Sequence, residues 1–344
     1  MANYLIVGGA GFIGVNAAEH YAQSGHAVTI LDNLSRQGTA NNLKWIQTEH
    51  PSVRFVRADI RTDQTLLETE IAQCDVLLHL AAQVAVTTSV VDPRTDFEIN
   101  ALGTLNVLEA ARCAPRPPIL LYSSTNKVYG AMEDVPVICE GNRYAYQNLP
   151  HGVAEEQPLD FHSPYGCSKG AADQYVRDYS RIYGLRTVVL RQSCIYGPHQ
   201  FGNEDQGWIA WFLRCALLGN PVTIFGDGRQ VRDVLDVGDL IAAYDAAIKN
   251  IDRSSGRVYN IGGGPANTLS LLETVDLLEK TNNSKLDHSF SDWRPGDQRI
   301  FVTDVGRAWR ELGWTPEVSP KHGIARMRTW MAANLEAVAQ AFHT

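Results

Sequence analysis

Tyr165 and Lys169 lie four residues apart in the segment SPYGCSKGAADQY, and an upstream apolar run ends in Ser123, Ser124 and Thr125. On a helix, residues i and i+4 share a face, so the lysine can stabilise a phenolate and lower the pKa of the tyrosine. Such a tyrosine accepts a proton from an alcohol while hydride leaves the carbon, and Thr125 or Ser124 would hydrogen-bond the same oxygen. The residues predict alcohol oxidation, although this spacing also occurs by chance on solvated helix faces.

A hydride acceptor is predicted by the glycine-rich segment YLIVGGAGFIG, in which Gly8, Gly11 and Gly14 follow an apolar strand and open a helix. Glycine lets the backbone approach a pyrophosphate closely, and the helix N-terminus offers free N–H groups to an anion. Together they match the dinucleotide-binding fingerprint. The next strand, AVTILD, ends in Asp32, which would bind the ribose hydroxyls and repel a 2′-phosphate. We therefore expect NAD rather than NADP, a preference that the nearby Arg36 would weaken.

The elements that must position these residues alternate between short apolar runs and helical patterns, which is typical of βαβ units and a parallel sheet. The predicted strands are Tyr4–Gly8, Ala27–Asp32, Val53–Arg57, Val76–Leu80, Ile119–Ser123 and Thr187–Arg191. The predicted helices include Phe12–Ser24, Ile99–Arg112 and Tyr165–Tyr183. The pattern predicts an α/β fold with a Rossmann-type, doubly wound parallel sheet.

A second lobe is predicted because the alternation of apolar runs and helical patterns ends near residue 195, where glycine, proline and aromatic residues are interspersed. We expect an NAD-binding domain from residues 1–194 plus about 236–264. A smaller C-terminal α/β substrate-binding lobe would comprise about 195–235 plus 265–344. The long irregular stretch 131–163 is either a cover over the substrate or a surface insertion.

Composition and charge limit the kinds of partner that the protein is expected to bind. The net charge is −8 without a basic run, which is evidence against a nucleic-acid partner. The six cysteines are spaced singly, so neither a zinc site nor a disulfide framework is indicated. No leader segment is apparent, and no stretch reaches the ~18 apolar residues of a membrane span. We expect a soluble, cytoplasmic protein without a metal.

The motifs resemble those of the extended short-chain dehydrogenase/reductase family, over essentially the full length of the chain. The matching segments are GGAGFIG, LAAQ, NALGTLNVLEAAR, YSSTNKVYG, SPYGCSKGAAD, LRQSCIYGP and VRDVLDVGDL. Members are NAD-dependent epimerases, dehydratases, decarboxylases and reductases of nucleotide sugars. The segments SSTNKVYG, LDFHSPYGCSKGAADQY, QFGNEDQGW, QVRDVL and DQRIFVTD are similar to those of one subfamily, the CDP-tyvelose (CDP-paratose) 2-epimerases. RQSCIYGPHQ departs from that pattern and leaves the sugar open.

The resemblance implies roles for further residues. Arg232 and Arg294 stand where family members bind the diphosphate, and Asn100 helps to place the cofactor strands. Family dehydratases carry Asp-Glu after the threonine, whereas this chain has Asn126-Lys127 and lacks the acid/base pair that elimination needs. Family members also pair two helices into a four-helix interface, so a homodimer or homotetramer is expected.

The predicted sites combine these arguments with the resemblance. The catalytic residues would be Thr125, Tyr165, Lys169 and Ser124. The NAD-binding residues would be Gly8, Gly11, Phe12, Ile13, Gly14, Asp32, Asn33, Ser35, Arg36, Asp59, Ile60, Leu80, Ala81, Ala82, Gln83, Asn100, Ser123, Tyr165, Lys169 and Ile195. The substrate-binding residues would be Val84, Thr125, Asn126, Lys127, Phe161, Ser163, Gln206, Gly207, Trp208, Phe225, Arg232 and Arg294.

The function expected from the residues and the resemblance is inversion of C2 of a CDP-activated hexose, with transient oxidation to a 2-keto sugar and a tightly bound, recycled NAD. Two alternatives from the same family are a C4 epimerase and a net NAD(H)-dependent dehydrogenase or reductase of a nucleotide sugar. A third, an NAD-binding scaffold without catalysis, is disfavoured by the presence of Thr125, Tyr165 and Lys169 together.

Overall fold

The computed structural model of the chain describes residues 1–294 and 297–341. The first half alternates strands and helices in the order β1 (Asn3–Val7), α1 (Phe12–Gln23), β2 (Ala27–Asp32), α2 (Thr39–Glu49), β3 (Arg54–Arg57), α3 (Gln64–Ile71), β4 (Val76–His79), α4 (Val86–Val91), α5 (Pro93–Phe97), a π-helical turn (Glu98–Leu102), α6 (Gly103–Cys113), β5 (Ile119–Thr125), a 3₁₀ turn (Asn126–Tyr129), β6 (Val137–Glu140), β7 (Arg143–Tyr146) and α7 (Ser163–Tyr183).

The second half continues as β8 (Thr187–Gln192), β9 (Cys194–Tyr196), α8 (Trp208–Leu218), β10 (Val222–Phe225), β11 (Val231–Asp236), α9 (Val237–Lys249), α10 (Ile251–Ser254), β12 (Arg257–Ile261), a 3₁₀ turn (Pro265–Asn267), β13 (Thr268–Ser270), α11 (Leu271–Asn282), β14 (His288–Ser291), β15 (Ile300–Phe301), α12 (Gly306–Leu312), α13 (Pro320–Ala333) and α14 (Leu335–Gln340).

The central sheet has seven parallel strands in the order β12-β8-β5-β4-β1-β2-β3. The order runs outward in both directions from β1 and β4, as in doubly wound nucleotide-binding sheets. Side chains of each strand alternate between the faces: Ile6 packs into a core that includes α1 and α9, while its neighbour Leu5 packs into a core that includes α3, α6 and α7. The Rossmann-type fold predicted from the sequence is confirmed.

The smaller sheets lie outside this layer. Strand β11 pairs in parallel with β9 and β15 and antiparallel with β13, and β10 pairs in parallel with β14. A separate apolar core lies beneath them, with buried residues from α8, α11 and α13. The division of the chain into two domains at the boundaries given above stays a prediction.

Two details differ from the sequence-based expectation. The helix predicted over Ile99–Arg112 begins as the π-helical turn and becomes α-helical only at Gly103, which packs against Ile60. The stretch 131–163 is not wholly irregular, because β6 and β7 form an antiparallel hairpin around Gly141 and Asn142.

Across the described residues, no helix combines the length and apolar character needed to span a membrane. No cluster of metal-ligating side chains was found in that part of the chain either.

Candidate active site

A cavity of about 520 Å³ opens at the carboxyl ends of the central strands, with walls from both the central sheet and the smaller sheets. In an open parallel sheet, this is the edge at which ligands bind. Most of the residues predicted to bind cofactor or substrate line it.

The glycine turn after β1 forms a cradle at the N-terminus of α1. Gly8 has a φ of +83°, and a Cβ atom there would lie 2.5 Å from the Ala81 nitrogen. A Cβ atom at Gly14 would lie 2.5 Å from the Gly8 carbonyl oxygen. Gly11 is the N-cap residue of α1. Side chains at these positions would collide with neighbouring backbone, so glycine permits the tight turn that brings the N-terminus of α1 to the cavity wall. A helix N-terminus exposed in this way binds the pyrophosphate of a dinucleotide, and the site fits NAD.

Asp32 ends β2 at the edge of the same cavity. Its carboxylate accepts the backbone N–H groups of Ala10 at 3.1 Å and Leu34 at 2.8 Å, which fix its orientation. Burial raises the pKa of Asp32, and these two hydrogen bonds act in the opposite direction. Arg36, which we expected to weaken the preference for NAD, donates to the side chain of Gln206.

Asn100 lies behind the cofactor half of the cavity rather than on its wall. Its side chain accepts from the Gln83 N–H at 2.9 Å and donates to the Gln83 carbonyl at 3.0 Å. It also donates to the Ser168 hydroxyl at 3.1 Å. Asn100 therefore ties the loop after β4 to helix α7, one position before Lys169. Gln83 likewise lies off the cavity wall formed by the described residues.

Tyr165 and Thr125 are brought together by α7 and the end of β5. Both side chains line the cavity, and the Thr125 hydroxyl accepts the Lys127 N–H at 3.2 Å. Burial raises the pKa of Tyr165 to about 12, and the hydroxyl of Thr125 acts in the opposite direction. The prediction that the pKa of this tyrosine is lowered is therefore wrong, because desolvation of the phenolate outweighs the effect of Thr125.

Lys169 lies on the same side of α7 as Tyr165. Its ammonium donates to the Ser123 carbonyl at 2.6 Å and lies 4.3 Å from the ring centre of Tyr122. Burial lowers the pKa of Lys169 to about 7, and the carboxylates of Asp173 and Asp96 oppose that shift. The lysine is thus held in place at the strand end, with a charge that depends on two buried carboxylates.

Ser124 lines the cavity, but its hydroxyl is engaged by a buried ion pair. Its hydroxyl donates to Asp173 at 2.7 Å, and Asp173 forms a two-pronged ion pair with Arg191, with both contacts at 2.9 Å. The contact of Ser124 with Asp173 links the end of β5 to the buried ion pair, and the predicted catalytic role of Ser124 stays a prediction.

The substrate half of the cavity contains most of the predicted contacts. They are Val84, Asn126, Lys127, Gln206, Gly207, Trp208, Phe225, Arg232 and Arg294. Phe161 and Ser163 were also predicted but lie off the described wall. The ring of Phe161 packs against Gly170, where a Cβ atom would be 2.4 Å away, and the Ser163 hydroxyl accepts from the Gly166 N–H at 3.2 Å. No described residue of the stretch 131–163 lines the cavity, so nothing there covers it directly.

Both predicted phosphate-binding arginines face carboxylates. Arg232 lies 2.8 Å from Asp297. Arg294 lies 3.3 Å from Asp205 and 3.8 Å from Glu204, and its guanidinium is 3.8 Å from the ring centre of Phe225. Each arginine is therefore positioned by an anion that a diphosphate would have to displace or join.

Several cavity residues were missed from the sequence. Gln192 is the last residue of β8, and Ser193 and Cys194 follow it; the rule that ligands bind at the carboxyl ends of strands would have found all three. Asp297 lies between β14 and β15, and no local pattern marks it. His199 also lines the cavity; burial lowers its pKa to about 4 and its ring packs on Trp45, so the imidazole is neutral at physiological pH.

Known proteins resemble this chain along nearly its whole length. The model of the NAD dependent epimerase/dehydratase family matches residues 4–262. A CDP-paratose 2-epimerase from Salmonella typhi is 45% identical over 96% of this chain and 99% of its own length.

Solved structures agree with that likeness. A UDP-glucuronic acid 4-epimerase from Bacillus cereus, in complex with UDP-glucuronic acid and NAD, is 26% identical with a TM-score of 0.83, covering 96% of this chain and 99% of its own. A dTDP-glucose 4,6-dehydratase from Streptomyces venezuelae with NAD bound is 30% identical with a TM-score of 0.84, covering 97% of this chain and 98% of its own.

Proposed function

Because the chain belongs to the NAD dependent epimerase/dehydratase family, we propose that it is an isomerase that inverts C2 of a CDP-activated hexose. The protein is an NAD-dependent nucleotide-sugar epimerase, and the position inverted, the base and the sugar are the proposed part. The likeness to CDP-paratose 2-epimerase, which runs through nearly the whole of both chains, carries the proposal. The expected substrates are CDP-paratose and CDP-tyvelose.

NAD would be held by the cradle at Gly8, Gly11 and Gly14, with its adenosine ribose at Asp32. We propose that it stays bound through many turnovers, because epimerisation leaves the cofactor unchanged. When bound, NAD accepts a hydride from the sugar carbon and returns it to the opposite face.

The chain's own residues handle the proton. In its phenolate form, Tyr165 takes the proton of the 2-hydroxyl and becomes the neutral phenol, and the hydroxyl of Thr125 favours the ionised form. Lys169, held at the Ser123 carbonyl, supplies positive charge nearby. Once the 2-keto sugar has turned in the cavity, Tyr165 gives the proton back to the oxygen. A single acid/base group suffices, since the same oxygen loses and regains the proton.

Residues 126 and 127 support epimerisation over dehydration. Eliminating water requires an acid for the leaving hydroxyl and a base for the neighbouring proton. Asn126 and Lys127 both line the cavity, and neither is a carboxylate. This pair therefore does not provide the carboxylate chemistry that a dehydratase would need.

We also propose a homodimer or homotetramer built on α6 and α7. Tyr175, Ile182 and Tyr183 on α7 are exposed, as are Phe97 and Leu102 near the start of α6. Large exposed apolar side chains on neighbouring elements are typical of an interface. A cytoplasmic location is proposed because all six cysteines are free thiols, as is usual in reducing compartments.

The test is turnover of a panel of nucleotide sugars, with NMR of the products. The proposal predicts interconversion of CDP-paratose and CDP-tyvelose without accumulation of NADH. Heat-denatured protein should release NAD into the supernatant. Inversion at C4 of a UDP-sugar alone, or net formation of NADH with an oxidised sugar product, would overturn the proposal.

A further inference from the structure

Lys127 lies unusually close to the reacting groups for a residue that the proposed proton transfer does not use. It is two positions after Thr125, in the 3₁₀ turn that Thr125 caps by accepting the Lys127 N–H at 3.2 Å. Its side chain is half-buried and lines the same cavity as Tyr165, Arg232 and Asp297. A cation is thus built into the wall beside the catalytic tyrosine.

The charges around Lys127 indicate a site for an anion. The positive charge of Arg232 alone would not balance that anion. Arg232 is 12% exposed in its side chain and already pairs with Asp297 at 2.8 Å. Arg294 faces Glu204 and Asp205. A sugar diphosphate brings two negative charges into this half of the cavity, so a further cation near Arg232 would balance charge that the two paired arginines leave uncompensated.

The chemistry of C2 explains why that cation should be next to Thr125. The diphosphate is attached through oxygen to C1, the carbon adjacent to C2. If the hydroxyl on C2 meets Tyr165, the phosphate nearest the sugar must lie close to the catalytic hydroxyls. An enzyme that oxidises C4 holds the far side of the ring at its tyrosine, so the phosphate is farther away.

We infer that Lys127 is a phosphate-binding residue, which holds the sugar-proximal phosphate together with Arg232 and so presents C2, rather than C4, to Tyr165. This inference rests on the proposed 2-epimerase function. Arginine and lysine differ here in a useful way, because arginine stays charged at every working pH whereas a buried lysine titrates.

The charged and titratable groups facing Lys127 are Arg232 on β11, Asp297, and the Cys194 thiol on β9. Burial lowers the pKa of Lys127 to about 8, Arg232 acts in the same direction, and Asp297 and Cys194 oppose it. A bound phosphate would raise this pKa, because an adjacent anion favours the ammonium form. Binding above pH 8 should therefore take up a proton, and affinity should fall as pH rises.

The experiment is calorimetric titration of the NAD-bound enzyme with CDP from pH 7 to 9.5, in buffers of different ionisation enthalpy. The phosphates of CDP are fully ionised above pH 8, since their last pKa is about 6. Lys127→Met and Lys127→Arg are compared with the wild type, and Lys249→Met serves as the control because Lys249 is exposed at the end of α9.

For the wild type, the inference predicts a Kd that rises up to about tenfold per pH unit above pH 8, with proton uptake approaching one. Lys127→Met should weaken binding at pH 7 by roughly 10- to 100-fold, as for a lost charge-assisted contact. Lys127→Arg should keep tight binding and lose the Lys127 share of the proton uptake. Lys249→Met should match the wild type.

The outcomes separate this inference from the proposed function. CDP affinity and proton uptake that are unchanged in Lys127→Met would overturn the phosphate role and leave the epimerase proposal standing. Unchanged CDP binding with a selective loss of kcat would place Lys127 at the sugar and also overturn it. A wild-type enzyme that binds neither CDP nor CDP-sugars would overturn both.

Discussion

Asp173→Ala tests how the carboxyl end of β5, which carries Ser124 and Thr125, is held in place. Asp173 is fully buried and Arg191 is 3% exposed, and two contacts of 2.9 Å join them. The remaining contact of Arg191 in this network is the neutral hydroxyl of Tyr129 at 3.0 Å. Removing the carboxylate leaves a buried guanidinium without its counter-charge, and it removes the acceptor of the Ser124 hydroxyl.

The expected loss is large. Breaking a buried ion pair from one side costs about 3–5 kcal/mol, and the hydrogen bond of Ser124 adds about 1 kcal/mol. Domains are stable by only about 5–15 kcal/mol, so the variant should lose about a quarter or more of its free energy of unfolding. Asp173→Asn keeps the shape and some hydrogen bonds and should lose less.

The assay is urea unfolding followed by far-UV circular dichroism, with NAD in excess. Lys285→Ala is the matched control, because Lys285 pairs with Glu279 at 2.6 Å but its side chain is 87% exposed. The urea midpoint of this variant should match that of the wild type. A loss below about 1 kcal/mol for Asp173→Ala would refute the claim that the buried pair supports this strand end.

The same residue bears on catalysis through Lys169. The carboxylate of Asp173 raises the pKa of Lys169 against the effect of burial. In Asp173→Asn that support is lost, so the lysine becomes neutral at a lower pH. Because the ammonium form exists below its pKa, the high-pH limb of the kcat profile should move to lower pH. An unshifted kcat profile would mean that the Asp173 carboxylate does not influence the pKa of Lys169.

Four further outcomes follow from the site. Asp32→Ser should reduce the preference for NAD over NADP, as measured by competition binding; a preference that does not change would contradict the role of Asp32. Tyr165→Phe should fold and retain NAD yet lose most turnover, so near-normal turnover would exclude Tyr165 as the base. Arg232→Ala and Arg294→Ala should each weaken substrate binding by roughly 2–4 kcal/mol without changing NAD content; unchanged affinity would remove that arginine from the phosphate site. Light scattering should give a dimer or tetramer at micromolar concentration, and a monomer would contradict the proposed interface.

The fold could be predicted because local and global signals agree. Strand β2, AVTILD, is mostly apolar, and its predicted bounds Ala27–Asp32 match the structure. Helix α7 begins at Ser163 rather than Tyr165, since Pro164 is favoured in the first turn of a helix. The hairpin of β6 and β7 was missed although its signal was present: Gly141-Asn142 is a two-residue turn of the kind that joins antiparallel strands.

The side-chain geometry of the site could be predicted only where one strand end or one helix face fixes it. Tyr165 and Lys169 belong to a single helix, so their spacing placed both at the cavity. Arg36 contacts Gln206, which is 170 positions away, and no local pattern reports such a contact. The direction of Ser124 depends on Asp173, a residue of another element, and the strand alternation alone did not reveal its partner.

The most direct test of the hydride route is turnover of CDP-paratose deuterated at C2. If C2 is oxidised by hydride transfer and reduced by the same hydride, the CDP-tyvelose product keeps its deuterium at C2. The reaction with unlabelled substrate in heavy water should then introduce no deuterium at that carbon. Loss of the label to solvent, or its gain from heavy water, would contradict hydride transfer and require removal of the C2 hydrogen as a proton.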